Sequence, residues 1–598
     1  MLPLVLAGAL GLAGVTSAPV ASAAPSPAAP DLGSHVLVFD PSMPQAQIQA
    51  AVDAVAAEQV DNEMGSARYA LLFKPGVYGS AAAPLTFQVG YYTEVAGLGL
   101  NPTDVTINGH VDVYNRCLTA DNCIALDNFW RSMSNLTINV MGLDGCRASG
   151  NFWAVSQAAP LRRVNITGGN LTLMDYCTAG PQFASGGYIA DSQTGFVING
   201  SQQQFFVRNS SVGGWSNAVW NQVFSGVAGA PAQSFSDTGA GQPYTTLDTT
   251  AVSREKPYLY VDGAGAYRVF VPSLQRDSAA TTWAGGSTPG TSLPLSSFYV
   301  ATPGDSASRL NDALERGKSL LLTPGIYHLR SALEIKRRNT VVLGLGLATL
   351  VPDRGNAVVE VGDVAGVKLA GFMVDAGAVK SRVLVRIGEK GRAAGSADNP
   401  TSLQDVFVRI GGAAAGKATT SVVVASDNVI LDDVWLWRAD HGNGVGWTVN
   451  TADTGLVVNG DGVSAYGLFV EHFQKYNVVW NGENGRTVFF QNELPYDAPD
   501  QASWSHDGVL GYAAYKVSPR VRHHEAWGLG SYCFFNVDPT IHATRSFEVP
   551  ETPGVVLHDI LTVSLGGVGT IDHVVNDTGA AAQGTGTVPV NIVRFPAA

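Results

Sequence analysis

The chain has 598 residues, a formal net charge of −13 and only 14% charged residues, against 68 glycines and 45% apolar residues. That acidic balance argues against nucleic acid or an anionic membrane surface as a partner, and makes a polyanionic polysaccharide an uncomfortable one. The charge-poor, glycine-rich composition describes a rigid, turn-rich β protein with apolar surface to spare for a core, and the length suits a solenoid that grows coil by coil.

Leu2 to Val15 is an apolar run, V-A-S-A ends on the small residue Ala23, and A-P-S-P-A-A-P follows. These mark residues 1–34 as a signal peptide and disordered leader, although the usual basic residues before the apolar run are missing. No later apolar run reaches a membrane span, so a secreted, extracellular protein is expected. The five cysteines suit that compartment. Cys117–Cys123 and Cys146–Cys177 are the expected disulfides, which leaves Cys533 free. Their spacing is unlike a zinc site, and no metal or cofactor is called for.

A repeat sets the architecture. L-L-F-K-P-G-V-Y-G from Leu71 returns as L-L-L-T-P-G-I-Y-H-L from Leu320, and V-A-G-L-G-L from Val95 returns as V-L-G-L-G-L from Val342. A helix-like segment precedes each copy, Gln45 to Val60 and Ser306 to Glu315. A helix over the open end of a β-solenoid hides its first edge strand. The expected fold is therefore all-β, two tandem right-handed parallel β-helices of the pectate-lyase kind packed side by side, at 35–250 and 298–598. Residues 251–297 between them read as a hairpin strap from Arg254 and a Gly/Ser/Thr/Pro-rich linker from Ala279.

Along both units, short runs around Val, Ile or Phe close on Asn, Gly or Ser: N-L-T-I-N-V, L-R-R-V-N-I and Q-Q-F-F-V-R-N-S in the first, G-L-V-V-N-G-D in the second. One coil of such a solenoid takes roughly 20–25 residues. Glu471 and Glu493 are 22 residues apart, as are Gln203 and Ser225. Acids at equivalent positions of neighbouring coils lie about 4.8 Å apart along the stack, and two carboxyls that close share a proton, as a general acid requires. An exposed turn glutamate, an amide ladder and a turn serine are the bland readings of the same residues. Asp440 precedes Glu471 by 31 residues, one coil plus a loop. Sugar rings need flat apolar platforms, and the second unit offers Trp435, Trp437, Trp447, Trp480, Trp504 and Tyr496.

G-S-Q-Q-Q-F-F-V-R-N from Gly200, G-L-F-V-E-H-F-Q-K-Y-N-V-V-W-N-G from Gly467 and F-F-Q-N-E-L-P-Y from Phe489 resemble glycoside hydrolase family 55. Its known members are secreted, mostly exo-acting β-1,3-glucanases that invert the anomeric centre. The resemblance implies Glu493 as general acid, Glu471 and Asp440 as supporting carboxylates, and Gln203 with Ser225 as the pair that positions the attacking water. Gln204 is the alternative amide. Trp480, Tyr496 and Trp447 are the expected substrate contacts. The segment L-P-Y-D-A-P departs from the family pattern after the acid, which touches the sugar subsites more than the chemistry. The partner is then a polysaccharide or oligosaccharide, met by a monomer with no nucleic-acid or membrane role. Two rivals share the fold: a polysaccharide lyase with a cation at Asp432 and Asp433, and a non-catalytic glycan-binding or adhesin solenoid.

Overall fold

The computed structural model describes residues 1, 29–200, 203–216, 219–389 and 395–597, so the apolar run before Ala23 and the expected cleavage site lie outside the described residues. The repeated Pro-Gly-x-Tyr segments build the same local structure twice. Tyr69–Phe73 and Ser319–Leu322 are the strands that lead into them. Gly76 and Gly325 both adopt φ of +147°, and a Cβ there would come 2.6 Å from Pro41 and 2.3 Å from Pro303. Only glycine fits that approach. The tyrosines that follow are buried, and their hydroxyls donate to matching backbone carbonyls. Tyr78 reaches Phe39 and Lys74 at 2.9 and 2.8 Å, and Tyr327 reaches Ala301 and Thr323 at 2.9 and 2.8 Å. The motif closes the first coil of each solenoid by satisfying carbonyls that its turn would leave bare.

Two helices cover the starts of the coils. Helix α1 (Gln45–Gln59) buries Ile48, Val52 and Val55, and α2 (Ala307–Glu315) buries Leu310, Ala313 and Leu314 after an N-cap in which Ser306 accepts from the Arg309 amide. Parallel strands then stack in register. In the first unit the main path runs from Val36–Phe39 to Tyr244–Leu247, and in the second from Phe298–Ala301 to Val555–Ser564, where the antiparallel strand Val590–Phe595 closes the far edge. A second sheet of nine strands, Leu333–Ile335 to Thr570–Val575, forms another face of the second unit. Inward Val, Leu, Ile and Phe fill each interior, at about 1.5–3 kcal/mol for each fully buried side chain. Cys117–Cys123 and Cys146–Cys177 are disulfide-bonded and Cys533 is free and buried.

Residues 250–294 form short antiparallel strands, among them the meander Tyr258–Val261, Tyr267–Pro272 and Gly290–Pro294. Leu259, Tyr267 and Val269 pack with Leu72 and Leu98 of the first solenoid and Leu321 and Leu343 of the second, so this strap lies across the first coils of both.

The solenoids meet along an aromatic seam that includes Tyr92, Phe129 and Trp130 from one and Trp435, Trp437 and Phe489 from the other. Beside it lies a buried ionic lattice. Arg208 donates to Asp432 at 2.8 and 2.6 Å and to Glu255 at 2.5 and 3.0 Å. Arg162 donates to Asp405 at 2.7 Å and to Asp432 at 3.0 Å.

Candidate active site

Two rows of side chains face each other across the seam. The strands Ser464–Glu471 and Gly485–Glu493 pair in parallel, from Ser464↔Arg486 to Phe469↔Gln491. Continued along the strands, that register stacks Glu493 on Glu471, so the spacing of the two acids is one coil, as expected. Trp437 is the register partner of Glu471, and Tyr532 of Glu493. The second solenoid thus presents Trp437, Glu471, Glu493 and Tyr532 on successive coils. Asp440 is not in this stack: Trp437 holds the place next to Glu471, and Asp440 follows in the loop after the strand Ile430–Arg438.

The opposing row has uneven spacing. Leu161 pairs with Met133 and with Ile189, a step of 28 each way, while Tyr188 pairs with Phe206 at a step of 18 and Gln204 with Asn221 at a step of 17. Equivalent positions on successive coils are then Phe129, Gln157, Ser185, Gln203 and Trp220. These steps correct the reading of Ser225. The shortest step places Trp220 next to Gln203, its amide donating to the Gln203 carbonyl at 2.9 Å. Ser225 pairs with Arg208 instead, and its buried hydroxyl meets the Thr250 hydroxyl at 2.8 Å.

Hydrogen bonds join the rows into one network. The Ser185 hydroxyl donates to Oε1 of Gln157 at 2.9 Å. Nε2 of Gln157 donates to Glu471 at 2.7 Å and to Oε1 of Gln491 at 3.2 Å. Nε2 of Gln491 donates to Oε1 of Gln203 at 2.7 Å, and Nε2 of Gln203 donates to Oε1 of Glu493 at 2.7 Å. The direction of the chain follows from its ends. Carboxylate oxygens only accept, so the amide nitrogens of Gln157 and Gln203 must face the two acids, and Gln491 is then oriented between them. Trp435 Nε1 donates to the other oxygen of Glu471 at 2.7 Å, and the Tyr496 hydroxyl donates to the other oxygen of Glu493.

The two acids differ in surroundings. Glu471 is 2% exposed. Burial pushes its carboxyl well above the ordinary range, the charge of Glu493 adds to this, and the Trp435 hydrogen bond only partly opposes it. Burial and the neighbouring charge thus favour the neutral form of Glu471. For Asp440, burial acts upward but is outweighed by His472 and His441, and the carboxyl is held well below the usual range.

These groups line a cavity of about 150 Å³ with Leu126, Phe129 and Trp437, and an outer cavity of about 780 Å³ shares Leu126, Tyr496 and Leu565 with it. Of the expected residues, Glu493, Glu471, Asp440, Gln203 and Tyr496 meet here. Trp480 does not: it is fully buried inside the second solenoid, because its strand belongs to the other sheet. Gln204 is buried too, holding the Gly528 carbonyl at 3.1 Å and the Tyr532 hydroxyl at 3.2 Å. Trp447 packs on the core near Arg438, outside the cavity. Gln157, Ser185, Gln491 and His441 escaped the sequence reading: the uneven coil register hides the first two, whereas Gln491, two residues before Glu493, and His441, next to Asp440, stood beside residues that were singled out.

A cation at Asp432 and Asp433 has no room. Two arginines hold Asp432, and burial, with Asp405 beside it, pushes the Asp433 carboxyl well up. Glu63, Asp127 and His441 do bring donor atoms within 4.8 Å of one another. Both ring nitrogens of His441, however, face carboxylate oxygens, at 2.9 Å (Asp440) and 2.7 Å (Glu63), which suits a doubly protonated ring and not a metal ligand.

Paired solenoids with a carboxyl pair facing a cavity in their seam have the layout of a β-helical glycosidase. Residues 298–493 match the LAM55 pectate lyase-like domain. An exo-beta-1,3-glucanase of Streptomyces sp. (strain SirexAA-E / ActE) is 54% identical over 567 residues, 95% of this chain and 90% of that protein. The structure of sacteLam55A from Streptomyces sp. SirexAA-E superposes with a TM-score of 0.89 at 54% identity, covering 95% of this chain and 99% of that one. A variant of sacteLam55A in complex with glucose gives 0.88 at 52% identity, with the same coverage. The chain belongs to glycoside hydrolase family 55.

Proposed function

We propose that this protein is a secreted β-1,3-glucanase that works from chain ends by inverting hydrolysis. The observation that carries the hydrolytic part of the reading is the Glu471–Glu493 pair at one-coil spacing in the inner cavity, while inversion follows from the family resemblance. The 54% identity to a protein named exo-beta-1,3-glucanase supports the substrate.

Glu493 is the general acid. Its side chain is 12% exposed, whereas Glu471 is buried, and so it is the acid that a glycosidic oxygen can reach. With a proton on Glu493, the repulsion that adds to burial in raising Glu471 is gone, which eases the ionisation of Glu471. Glu471 is then the base. Asp440, held far below the usual range, is a weak one, whereas Glu471 combines high basicity with attachment to the Gln157–Ser185 corner. In the reaction the Glu493 proton passes to the leaving oxygen as the glycosidic C–O bond breaks. A water held at that corner forms the new C–O bond and loses its proton to Glu471. The one-way amide row from Gln157 through Gln491 and Gln203 links the two acids. It holds both carboxyls in place, while Glu471 loses its proton to solvent and Glu493 regains one from solvent before the next turnover. Tyr496, half-buried at the cavity, supplies a flat wall for the sugar.

Laminarin in a panel with cellulose, pectate and alginate tests the substrate, and proton NMR of the earliest product tests the stereochemistry. The α-anomer is expected first. An initial β-anomer would mean a retaining mechanism, and an ultraviolet-absorbing unsaturated product would mean a lyase.

The amide row makes a second expectation. Gln203→Ala cuts it beside the acid, so kcat should fall roughly 10–10³-fold, the range for losing a preorganised polar contact, with KM little changed. A rise in KM at constant kcat would make Gln203 a substrate-binding residue instead.

A further inference from the structure

Asp440 is, with Asp127, an acidic residue of the cavity that the hydrolytic reaction does not use, and its setting is unusual. Its Oδ1 lies 2.9 Å from Nδ1 of the adjacent His441, whose Nε2 lies 2.7 Å from Oε1 of Glu63. Glu63 belongs to the first solenoid, just after α1, so the ring spans the seam. The far side of Glu63 is tied down as well: Arg116 donates to its Oε2 at 2.9 Å, and the Tyr92 hydroxyl donates to its backbone carbonyl at 2.5 Å. Trp437 and Phe129 flank the ring, with centroids 5.1 and 6.3 Å away.

Charged and titratable groups surround the ring from both solenoids. Asp440 and Glu63 touch it, and Asp127 senses its charge. Beyond Glu63 stands Arg116. Beyond Asp440 stands His472, whose Nδ1 meets the Leu494 carbonyl at 3.1 Å and whose Nε2 lies 3.8 Å from Asp440 and 3.6 Å from Glu493. A neutral imidazole has one N–H and can satisfy only one of two flanking carboxylates, whereas a doubly protonated ring satisfies both.

We propose that His441 is a positioning residue, a doubly protonated ring that ties Asp440 of one β-helix to Glu63 of the other and so holds the Asp440 carboxylate in place at the cleft. The proposal rests on the hydrolase reading for its meaning and on the geometry of the bridge for its support. Burial alone would lower the ring's pKa, but the hydrogen bonds and charges of Asp440 and Glu63 outweigh it and carry it up to about 11. The same contacts hold Glu63 below its ordinary value against its own burial. A raised histidine pKa means that this bridge is at full strength at acidic pH and weakens only as pH climbs from the ordinary histidine value toward 11. The cleft therefore keeps its charge pattern across the neutral range.

The test uses full-length protein carrying ¹⁵N-labelled histidine, with the His441 signals assigned through His441→Asn. In the unsubstituted protein the ring is expected to carry two protons at about pH 8, well above where an ordinary histidine has lost one. Glu63→Gln removes one acceptor charge. The ring should then titrate at lower pH, and kcat/KM should gain an alkaline limb falling about tenfold per pH unit above the new pKa. Glu63→Asp should restore most of the original profile. A neutral ring at about pH 7 in the unsubstituted protein overturns the proposal. So does a Glu63→Gln variant whose ring titrates early while its pH–activity profile stays unchanged. Ring protonation is read without turnover, so a failure of the hydrolase reading would show in the activity of Glu493 variants and not in these spectra.

Discussion

Glu493→Gln is expected to lose at least about 10²-fold in turnover on laminarin, the low end for removing a general acid. The replacement keeps the shape. Gln203 Nε2 and the Tyr496 hydroxyl donate to different oxygens of Glu493, so the Gln amide can accept from Gln203 on its oxygen while its NH2 donates to the Tyr496 oxygen, and the fold should survive. What it cannot do is give a proton to a leaving alkoxide. Loss should appear in kcat for substrates with poor leaving groups. A glycosyl fluoride, which leaves without protonation, should lose less. Near-normal turnover on laminarin would remove Glu493 from the role. Equal loss on both substrates would point to damage at the water-activating side around Glu471.

Arg208→Met should lower stability by about 3–5 kcal/mol, the cost of removing one partner from a buried ion pair. Arg208 is fully buried and joins Glu255, which enters the strap, to Asp432 of the second solenoid. The lattice contains three cations, Arg162, Arg208 and Lys256, against Glu255, Asp405, Asp432 and Asp433. Burial, and the charge of Asp405 beside it, push the Asp433 carboxyl well up, so of these acids it is the one least disposed to carry a charge. Methionine fills the space without the charge and leaves the lattice one cation short inside the protein. Urea unfolding of the purified variant measures the loss. A change below about 0.5 kcal/mol, the level of an ordinary surface substitution, would mean that water already solvates these carboxylates and that the apolar seam alone holds the solenoids together.

The sequence by itself determined the repeat and the local contacts that the repeat demands. Pro-Gly-x-Tyr requires a glycine pressed against a proline and a tyrosine returning to two carbonyls, and those contacts are local enough to be written twice in the chain. The end-capping helices and the pairing of Glu471 with Glu493 were readable for the same reason. Their coil turns through N-G-E-N-G with no inserted loop, so the distance along the chain and the step of the stack coincide.

Tertiary structure decided the rest. In the first solenoid the unequal steps of 28, 18 and 17 hide the row Phe129, Gln157, Ser185, Gln203, Trp220 from any search at fixed period, and they separate Ser225 from Gln203, with which it was expected to position the water, while setting Gln157 beside Ser185. Trp480 lies between the two acids in sequence yet packs inside, because a solenoid coil turns through more than one sheet and the short strand that carries Trp480 sits on another face. The network itself exists only where two solenoids touch. Gln157 and Glu471 are 314 residues apart, and Glu63 and His441 are 378 apart. Side chains so distant in sequence meet only because an aromatic seam and a buried charge lattice fix the register of one β-helix against the other. No local pattern carries that information.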